Sequence, residues 1–201
     1  MENLYLIVGL GNPGREYFHT RHNAGFLVVE RLADRWKALW TVDRNFKARL
    51  ARVDQPGRRI LLCQPLTYMN ASGETVGAIA AFYKLGLPQV VIVVDDADLP
   101  FGEIRLRPQG SSGGHHGLES IEQQLSTRDY GRQRIGIGRT ADGQREITGH
   151  VLARFSAAES RELEKVLTRA ADQIECWLNA GIEQAMNQFN GTVDKSEKGT
   201  E

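Results

Sequence analysis

Polar side chains that could activate water follow several of the predicted strands of this sequence. Asn12 and His22 come after the first predicted strand, Asn70 after the third, and Asp95 ends the fourth. Ligands of open α/β sheets bind at the carboxyl ends of the strands, so these four residues are candidates for one site. A glycine-rich segment that holds His115 and a second histidine follows the next strand.

These residue types suit hydrolysis by an activated water. A histidine can take a proton from water, and a carboxylate can fix its tautomer and stabilise the imidazolium. Amides such as those of Asn12 and Asn70 can bind a carbonyl and the oxyanion that develops from it. No cysteine and no obvious serine nucleophile stands among these positions. The set therefore predicts His22 as base and Asp95 as its partner.

A metal centre is the competing use of the same residue types. His115 and His116 are adjacent and point apart if the segment is extended, and the acidic run after the fourth strand could be drawn as ligands. Nothing in these spacings demands a metal, and the two cysteines lack the spacing of a zinc site. We therefore expect no metal.

The segment Gly9–Gly14 matches the G-x-G-x-x-G pattern of dinucleotide-binding folds. That pattern calls for a helix that opens at the glycines and for an acidic residue after a second strand. Here the predicted helix begins only after Asn23, and Asp34 falls inside it. The glycines are better read as a sharp turn that aims Asn12 into a cleft, so we expect no nucleotide cofactor.

Apolar periodicity predicts strands that alternate with helices. The predicted strands are Tyr5–Gly9, Phe46–Val53, Arg59–Gln64, Val90–Asp95, Glu103–Arg107 and Arg134–Gly138. The predicted helices are Ala24–Leu39 capped by Asn23, Ala71–Leu85 closed by Gly86, Gly117–Leu125, a long helix from a Ser156/Glu159 capping box to Asn179, and Ile182–Phe189. This alternation predicts an α/β fold, a single domain with a twisted mixed β-sheet flanked by helices, over residues 1–190. Residues 191–201 are mostly polar, and this composition predicts a disordered tail.

Composition restricts the class of protein further. The chain has 201 residues, with 25 Lys and Arg against 25 Asp and Glu. Its two cysteines cannot form a disulfide framework, and no apolar run approaches the roughly 20 residues of a membrane span. These features predict a cytoplasmic protein with no membrane contact. The zero net charge argues weakly against a nucleic-acid partner, although all seven basic residues of positions 101–150 are arginine.

Five segments have distinctive sequences. They are Leu6–Phe26 (LIVGLGNPGREYFHTRHNAGF), Pro65–Gly73 (PLTYMNASG), Asp95–Gly102 (DDADLPFG), Gly113–Leu118 (GGHHGL) and Arg134–Gly138 (RIGIG). Together they resemble bacterial peptidyl-tRNA hydrolases. They occur in the family's order, and the resemblance covers about residues 4–190. It implies hydrolysis of the ester between a peptide and the 3′ end of tRNA, without metal or cofactor, by a monomer.

The resemblance also implies roles for single residues. His22 matches the general base, Asp95 the carboxylate that orients it, and Asn12 and Asn70 the amides that hold the peptide backbone and stabilise the oxyanion. The remaining matches are Tyr17 and Met69, which line the crevice, and Arg107 and Arg134, which clamp the tRNA 5′-phosphate. These arginines outweigh the argument that a chain of zero net charge does not bind nucleic acid, because the position of a few basic residues matters more than the net charge of the whole chain.

One position departs from the family's pattern. His116 stands where the family usually has asparagine, so the amide's paired donor and acceptor are lost there and the pH dependence of turnover can differ. Two other interpretations stay open at this point. One is a catalytically silent RNA-binding relative, and the other is a nucleotide-dependent oxidoreductase that rests only on Gly9–Gly14.

Overall fold

A mixed eight-stranded sheet organises residues 3–139 and 147–193, which are the residues that the computed structural model describes. Its strands are β1 (Asn3–Gly9), β2 (Trp40–Asp43), β3 (Ala48–Gln55), β4 (Arg58–Pro65), β5 (Val90–Asp96), β6 (Glu103–Arg107), β7 (Gly131–Gly136) and β8 (Gly191–Thr192). Their spatial order is β2-β3-β4-β1-β5-β7-β6-β8. β1 runs parallel to β4 and β5, and β5 runs parallel to β7, while the other pairs are antiparallel. The predicted α/β class with a mixed sheet is confirmed.

Helices cover both faces of the sheet. They are α1 (Ala24–Trp36), α2 (Ser72–Tyr83), α3 (His116–Leu125), α4 (Ile147–Leu152), α5 (Ala157–Ala180) and α6 (Ile182–Phe189). Side chains alternate along a strand, so Val91 and Val93 of β5 join a core with α1, α5 and α6. Ile92 and Val94 join the opposite core with α2 and α3. β5 is therefore buried on both faces, as its run of β-branched residues predicts.

Several element boundaries differ from the sequence expectation. α1 ends at Trp36 and α2 at Tyr83, because Lys37 and Lys84 adopt left-handed φ values of 53° and 52° and cap the helices. The expected ends at Leu39 and Leu85 are therefore wrong. The strand β2 and the helix α4 were not predicted, because both are short and lack a clear apolar period.

The end of the described chain is paired to the sheet. Gly191–Thr192 pairs with β6, and the side chain of Asn190 accepts from the backbone of Leu106 at 2.7 Å and donates to it at 3.2 Å. The predicted tail at 191–201 thus begins with two paired residues, and residues 194–201 lie outside the described part. None of the helices in the two described ranges is long and apolar enough to span a membrane.

Candidate active site

A cavity of about 290 Å³ opens where β1 and β5 end. Asn12 follows β1, Asp95 lies near the end of β5, and His22 stands on a 3-10 turn before α1. The glycine-rich loop before α3 and one side of α4 complete the wall. The lining residues are Asn12, His22, Asp95, Asp96, Ala97, Asp98, Gly113, Gly114, His115, His116, Arg134, Arg139, Thr148, Val151 and Leu152.

Two glycines let α1 approach the sheet closely enough to place His22. A Cβ atom on Gly25 would lie 2.3 Å from the carbonyl oxygen of Val93, and one on Gly9 would lie 2.2 Å from the carbonyl oxygen of Gly25. Contacts this short leave no room for a side chain, so the start of α1 lies directly against β1 and β5. His22, just before this contact, is thereby brought to Asp95 at the end of β5.

Asp95 is a buried carboxylate that binds two histidines. Its Oδ1 lies 2.9 Å from Nδ1 of His22 and 3.0 Å from Nε2 of His115, and its Oδ2 lies 3.0 Å from Nδ1 of His22. Burial alone would raise the pKa of this carboxyl, since only 2% of the side chain is exposed. The two histidines outweigh burial and hold the pKa of Asp95 well below its ordinary value. Asp95 therefore stays charged and accepts hydrogen bonds from both rings.

The contacts of His115 determine which of its nitrogens carries the proton. Its Nδ1 caps α3, accepting from the backbone N–H groups of Gly117 at 3.1 Å and Leu118 at 3.4 Å. An accepting Nδ1 is unprotonated in the neutral ring, so Nε2 carries the hydrogen and donates to Asp95. The charged carboxylate also accepts from Nδ1 of His22, whose Nε2 therefore keeps its lone pair. His22 is left with one basic nitrogen.

The same three side chains could be considered as metal ligands. One ligand atom from each of His22, Asp95 and His115 lies within 4.8 Å of the other two. A metal needs a lone pair on Nε2 of His115, but that nitrogen carries a hydrogen as long as Nδ1 caps α3. The donor set fits a metal only if His115 gives up its cap. The geometry therefore favours a hydrogen-bonded trio.

Asn12 is held from both sides by neighbouring amides. Its backbone N–H donates to Oδ1 of Asn23 at 2.9 Å, and Nδ2 of Asn23 donates back to its carbonyl at 3.0 Å. Its side-chain Oδ1 accepts from the backbone N–H of Met69 at 2.8 Å. Because that oxygen is engaged, the Nδ2 of Asn12 is the group that can donate to a carbonyl in the cavity. Asn23 stands at the N-cap position of α1, as expected, but its side chain holds Asn12 and makes no cap hydrogen bond to the helix.

Arg134 ties the glycine-rich loop to the end of β5. Its Nη1 pairs with Oδ2 of Asp96 at 3.0 Å, and its Nη2 donates to the carbonyls of Ser111 at 2.7 Å and Ser112 at 3.1 Å. The buried Arg132 donates to the same loop through the carbonyl of Ser111 at 3.1 Å. The loop that carries His115 is therefore held by two arginines of β7.

The structure brings together five of the nine predicted site residues. Asn12, His22, Asp95, His116 and Arg134 line the cavity. The other four, Tyr17, Met69, Asn70 and Arg107, are absent from the wall that residues 3–139 and 147–193 form. Met69 adjoins it through Asn12, Tyr17 is half-buried on the turn before His22, Asn70 is exposed after β4, and Arg107 is exposed at the end of β6.

Sequence reasoning missed His115 and Asn23 as parts of this site. From the sequence, His115 is only a possible metal ligand, because histidine is not among the residue types that mark a helix cap and the predicted helix begins two residues later. His116, which was selected instead, is exposed and pairs with Glu119 through Nδ1 at 3.1 Å. No local signal distinguishes the observed role of Asn23 from capping.

Comparison with known proteins decides the family. The sequence model of the peptidyl-tRNA hydrolase family matches residues 6–198. The chain belongs to the peptidyl-tRNA hydrolase family. A peptidyl-tRNA hydrolase of Synechococcus sp. (strain JA-2-3B'a(2-13)) is 45% identical over 188 residues, which cover 94% of this chain and 84% of that protein. That of Geobacillus kaustophilus (strain HTA426) is 46% identical over 185 residues, covering 92% and 98%.

A solved structure of the same family has the same fold. The crystal structure of peptidyl-tRNA hydrolase from Acinetobacter baumannii matches with a TM-score of 0.88 and 38% sequence identity. The match covers 96% of this chain and 97% of that one. The family resemblance seen in the sequence is thereby confirmed.

Proposed function

We propose that this chain hydrolyses the ester bond between a peptide, or an N-blocked amino acid, and the 3′ end of tRNA, and so recycles peptidyl-tRNA released from stalled translation. Its family supplies the reaction class. The observation that carries the mechanism is the contact of Nδ1 of His22 with both carboxylate oxygens of Asp95, at 2.9 and 3.0 Å. It leaves Nε2 of His22 as a base in the wall of the cavity.

In the proposed reaction, Nε2 of His22 takes a proton from a water molecule whose oxygen attacks the ester carbonyl carbon. The carbonyl oxygen becomes an oxyanion, which Nδ2 of Asn12 stabilises by donating a hydrogen bond. Collapse of this intermediate breaks the bond to the ribose oxygen, which receives the proton from His22. The products are a peptide acid and tRNA with a free hydroxyl. Asp95 stabilises the transient imidazolium.

The peptide part is proposed to bind along the glycine-rich loop and the amides. Asn12 and Asn70 can pair with a peptide backbone, which a single charged amino acid does not offer. Met69 supports this crevice from the turn after β4, since its backbone N–H donates to the side-chain oxygen of Asn12 at 2.8 Å. Tyr17, half-buried on the turn before His22, is proposed to extend the crevice. His116 is exposed at its rim, and because its Nδ1 donates to the carboxylate of Glu119, its Nε2 can accept one hydrogen bond in the neutral ring.

The tRNA part is proposed to bind through arginines. Arg107 and Arg134 match the family's clamp for the 5′-phosphate, and they lie on the neighbouring strands β6 and β7. Arg134 is already paired with Asp96, whereas Arg107 is exposed. Arg107 is therefore the stronger candidate for direct phosphate contact. With so few contacts, we expect tRNA binding to be modest and to weaken gently with salt.

No metal or cofactor takes part in this proposal, because each proton transfer is assigned to His22 and the cap on His115 disfavours metal binding. We further propose that the protein acts as a monomer in the cytoplasm.

The substrate can be tested with matched esters. We expect rapid hydrolysis of N-acetylaminoacyl-tRNA, unchanged by chelating agents, and slow hydrolysis of the same aminoacyl-tRNA with a free amino group. Measured release of the labelled amino acid gives both rates. Equal rates would refute the proposed peptide binding, no release from either ester would refute the function, and loss of activity with chelator would refute metal independence.

A further inference from the structure

Arg21, which directly precedes His22, is a buried cation. Only 8% of the residue is exposed. Its Nη2 lies 2.7 and 2.8 Å from the two carboxylate oxygens of Glu159, and its Nη1 donates to the carbonyl of Arg154. The guanidinium carbon lies 5.2 Å from the ring centroid of Phe155. Charge, a hydrogen bond and an aromatic face together fix this side chain.

The backbone at this point is held by the same segment of chain. The N–H of Arg21 donates to the carbonyl of Ala153 at 3.0 Å, and Thr20 forms an isolated antiparallel bridge with Arg154. Residues 153–156 join α4 to α5, and α4 contributes Leu152 to the cavity wall. The turn that carries His22 is therefore fastened to the α4–α5 junction.

Glu159 is itself firmly placed. It is the acidic partner of the capping box of α5, so its Oε2 accepts from the N–H of Ser156 at 2.7 Å and its own N–H donates to Oγ of Ser156 at 3.2 Å. The carboxylate thus stands on the first turn of a 24-residue helix. The ion pair therefore ties the side chain of Arg21 to the first turn of α5.

We propose that the ion pair between Arg21 and Glu159 positions His22 for hydrolysis. The 3-10 turn of His22 spans only Arg21–Asn23, so the place of the imidazole depends on what holds the two flanking residues. Asn23 is held by Asn12 on one side, and Arg21 is held by Glu159 on the other. Arg21 and Glu159 are positioning residues, since Asp95 remains the group that contacts the ring.

This inference rests on the proposed role of His22 as base. A displaced base lowers the rate of proton transfer more than it weakens substrate binding, and a misplacement of about 1 Å can cost as much as 100-fold. We therefore expect Glu159→Ala and Arg21→Lys each to lower kcat by about 10-fold or more while KM changes by less than about 3-fold. Glu159→Gln keeps the capping box and loses the charge, so its kcat should lie between those of Glu159→Ala and the parent.

Ser156→Ala is the matched control, because it removes the side-chain cap of α5 and leaves the pair of Arg21 and Glu159 intact. We expect it to lower the melting temperature and to keep the kcat of the parent. The double variant Arg21→Lys/Glu159→Ala should be no slower than the slower single variant, because both changes break one interaction.

These measurements separate positioning from general stability. Parent-like kcat in Glu159→Ala and Glu159→Gln, or an equal loss of kcat in Ser156→Ala, would overturn the inference. If Arg21→Lys does not fold, the kcat of Glu159→Gln compared with that of Ser156→Ala still tests whether the ion pair positions His22. If the parent itself fails to hydrolyse any N-acetylaminoacyl-tRNA, the proposed function is refuted. This result differs from the two that would overturn the positioning role, because those require an active parent.

Discussion

Replacing Asp95 by asparagine should favour the wrong tautomer of His22 and remove the negative charge beside its ring. The two imidazole N–H groups at this site need acceptors, and Asp95 supplies them through oxygens at 2.9–3.0 Å. An asparagine offers one oxygen and one NH₂ group. Nε2 of His115 must keep its hydrogen and remain a donor, because Nδ1 of that ring accepts hydrogen bonds as the cap of α3. The amide oxygen must therefore take the place of Oδ1, 3.0 Å from Nε2 of His115 and 2.9 Å from Nδ1 of His22, and the NH₂ group takes the place of Oδ2, 3.0 Å from the same Nδ1.

Nδ1 of His22 then faces one acceptor and one donor in place of two carboxylate oxygens, so the tautomer with its proton on Nε2, the nitrogen that should take the proton of water, is favoured more than in the parent. The negative charge that stabilises the imidazolium is lost as well, and both changes weaken the general base. General-base catalysis contributes about 10²–10⁴-fold, or about 2.7–5.4 kcal/mol, so we expect Asp95→Asn to lower kcat by about 10³-fold. KM for N-acetylaminoacyl-tRNA should change little, because Asp95 is buried below the ring.

Single-turnover hydrolysis of a labelled N-acetylaminoacyl-tRNA measures this effect without product release. The second variant Asp95→Asn/His115→Ala tests the reason, since without His115 the amide is free to rotate until only its oxygen faces Nδ1 of His22. We expect this double variant to be faster than Asp95→Asn alone. A rate for Asp95→Asn within about 5-fold of the parent, or a double variant slower than Asp95→Asn, would refute the tautomer argument.

Two further outcomes follow from the structure. Arg107→Ala should weaken tRNA binding and reduce the slope of log K against log salt by about 0.7–0.9, the share of one phosphate, and an unchanged slope in binding titrations would remove Arg107 from the clamp. Gly25→Ala should lower the melting temperature by about 6–12 °C, because its Cβ would meet backbone 2.3 Å away and overpacking of this kind costs about 3 kcal/mol. Gly77→Ala is the control, since its Cβ would meet nothing closer than 3.4 Å. Equal melting temperatures for the two variants would contradict the claim that α1 packs too closely against the sheet for a side chain at position 25.

The sequence predicts the cavity well where a buried strand delivers a polar residue. Val90–Asp95 is recognisable as a central strand from its β-branched run, and β5 extends one residue further. Parallel strands end at one edge, so Asp95 is expected near the residues that follow β1. The pairing of His22 with Asp95 was expected on this ground. β2 and α4 could not be predicted from the sequence, because elements this short show too little apolar periodicity.

The remaining contacts have no local signature. Asn23 has the residue type and place of a helix cap, yet its amide holds Asn12. Arg21 and Glu159 are 138 positions apart, so neither residue points to the other in the sequence. Arg134 was expected as a phosphate ligand, and only the folded loop shows that Asp96 already binds it. Such pairings depend on tertiary packing, which residue types and spacing do not encode locally.

The role of His22 is tested most directly by replacing it. Single-turnover hydrolysis of N-acetylaminoacyl-tRNA by His22→Ala should be slower than that of the parent by about 10²–10⁴-fold, while titration shows that tRNA binding persists. This combination is what loss of the base alone produces. If His22→Ala retains most of the activity of the parent, His22 is not the base.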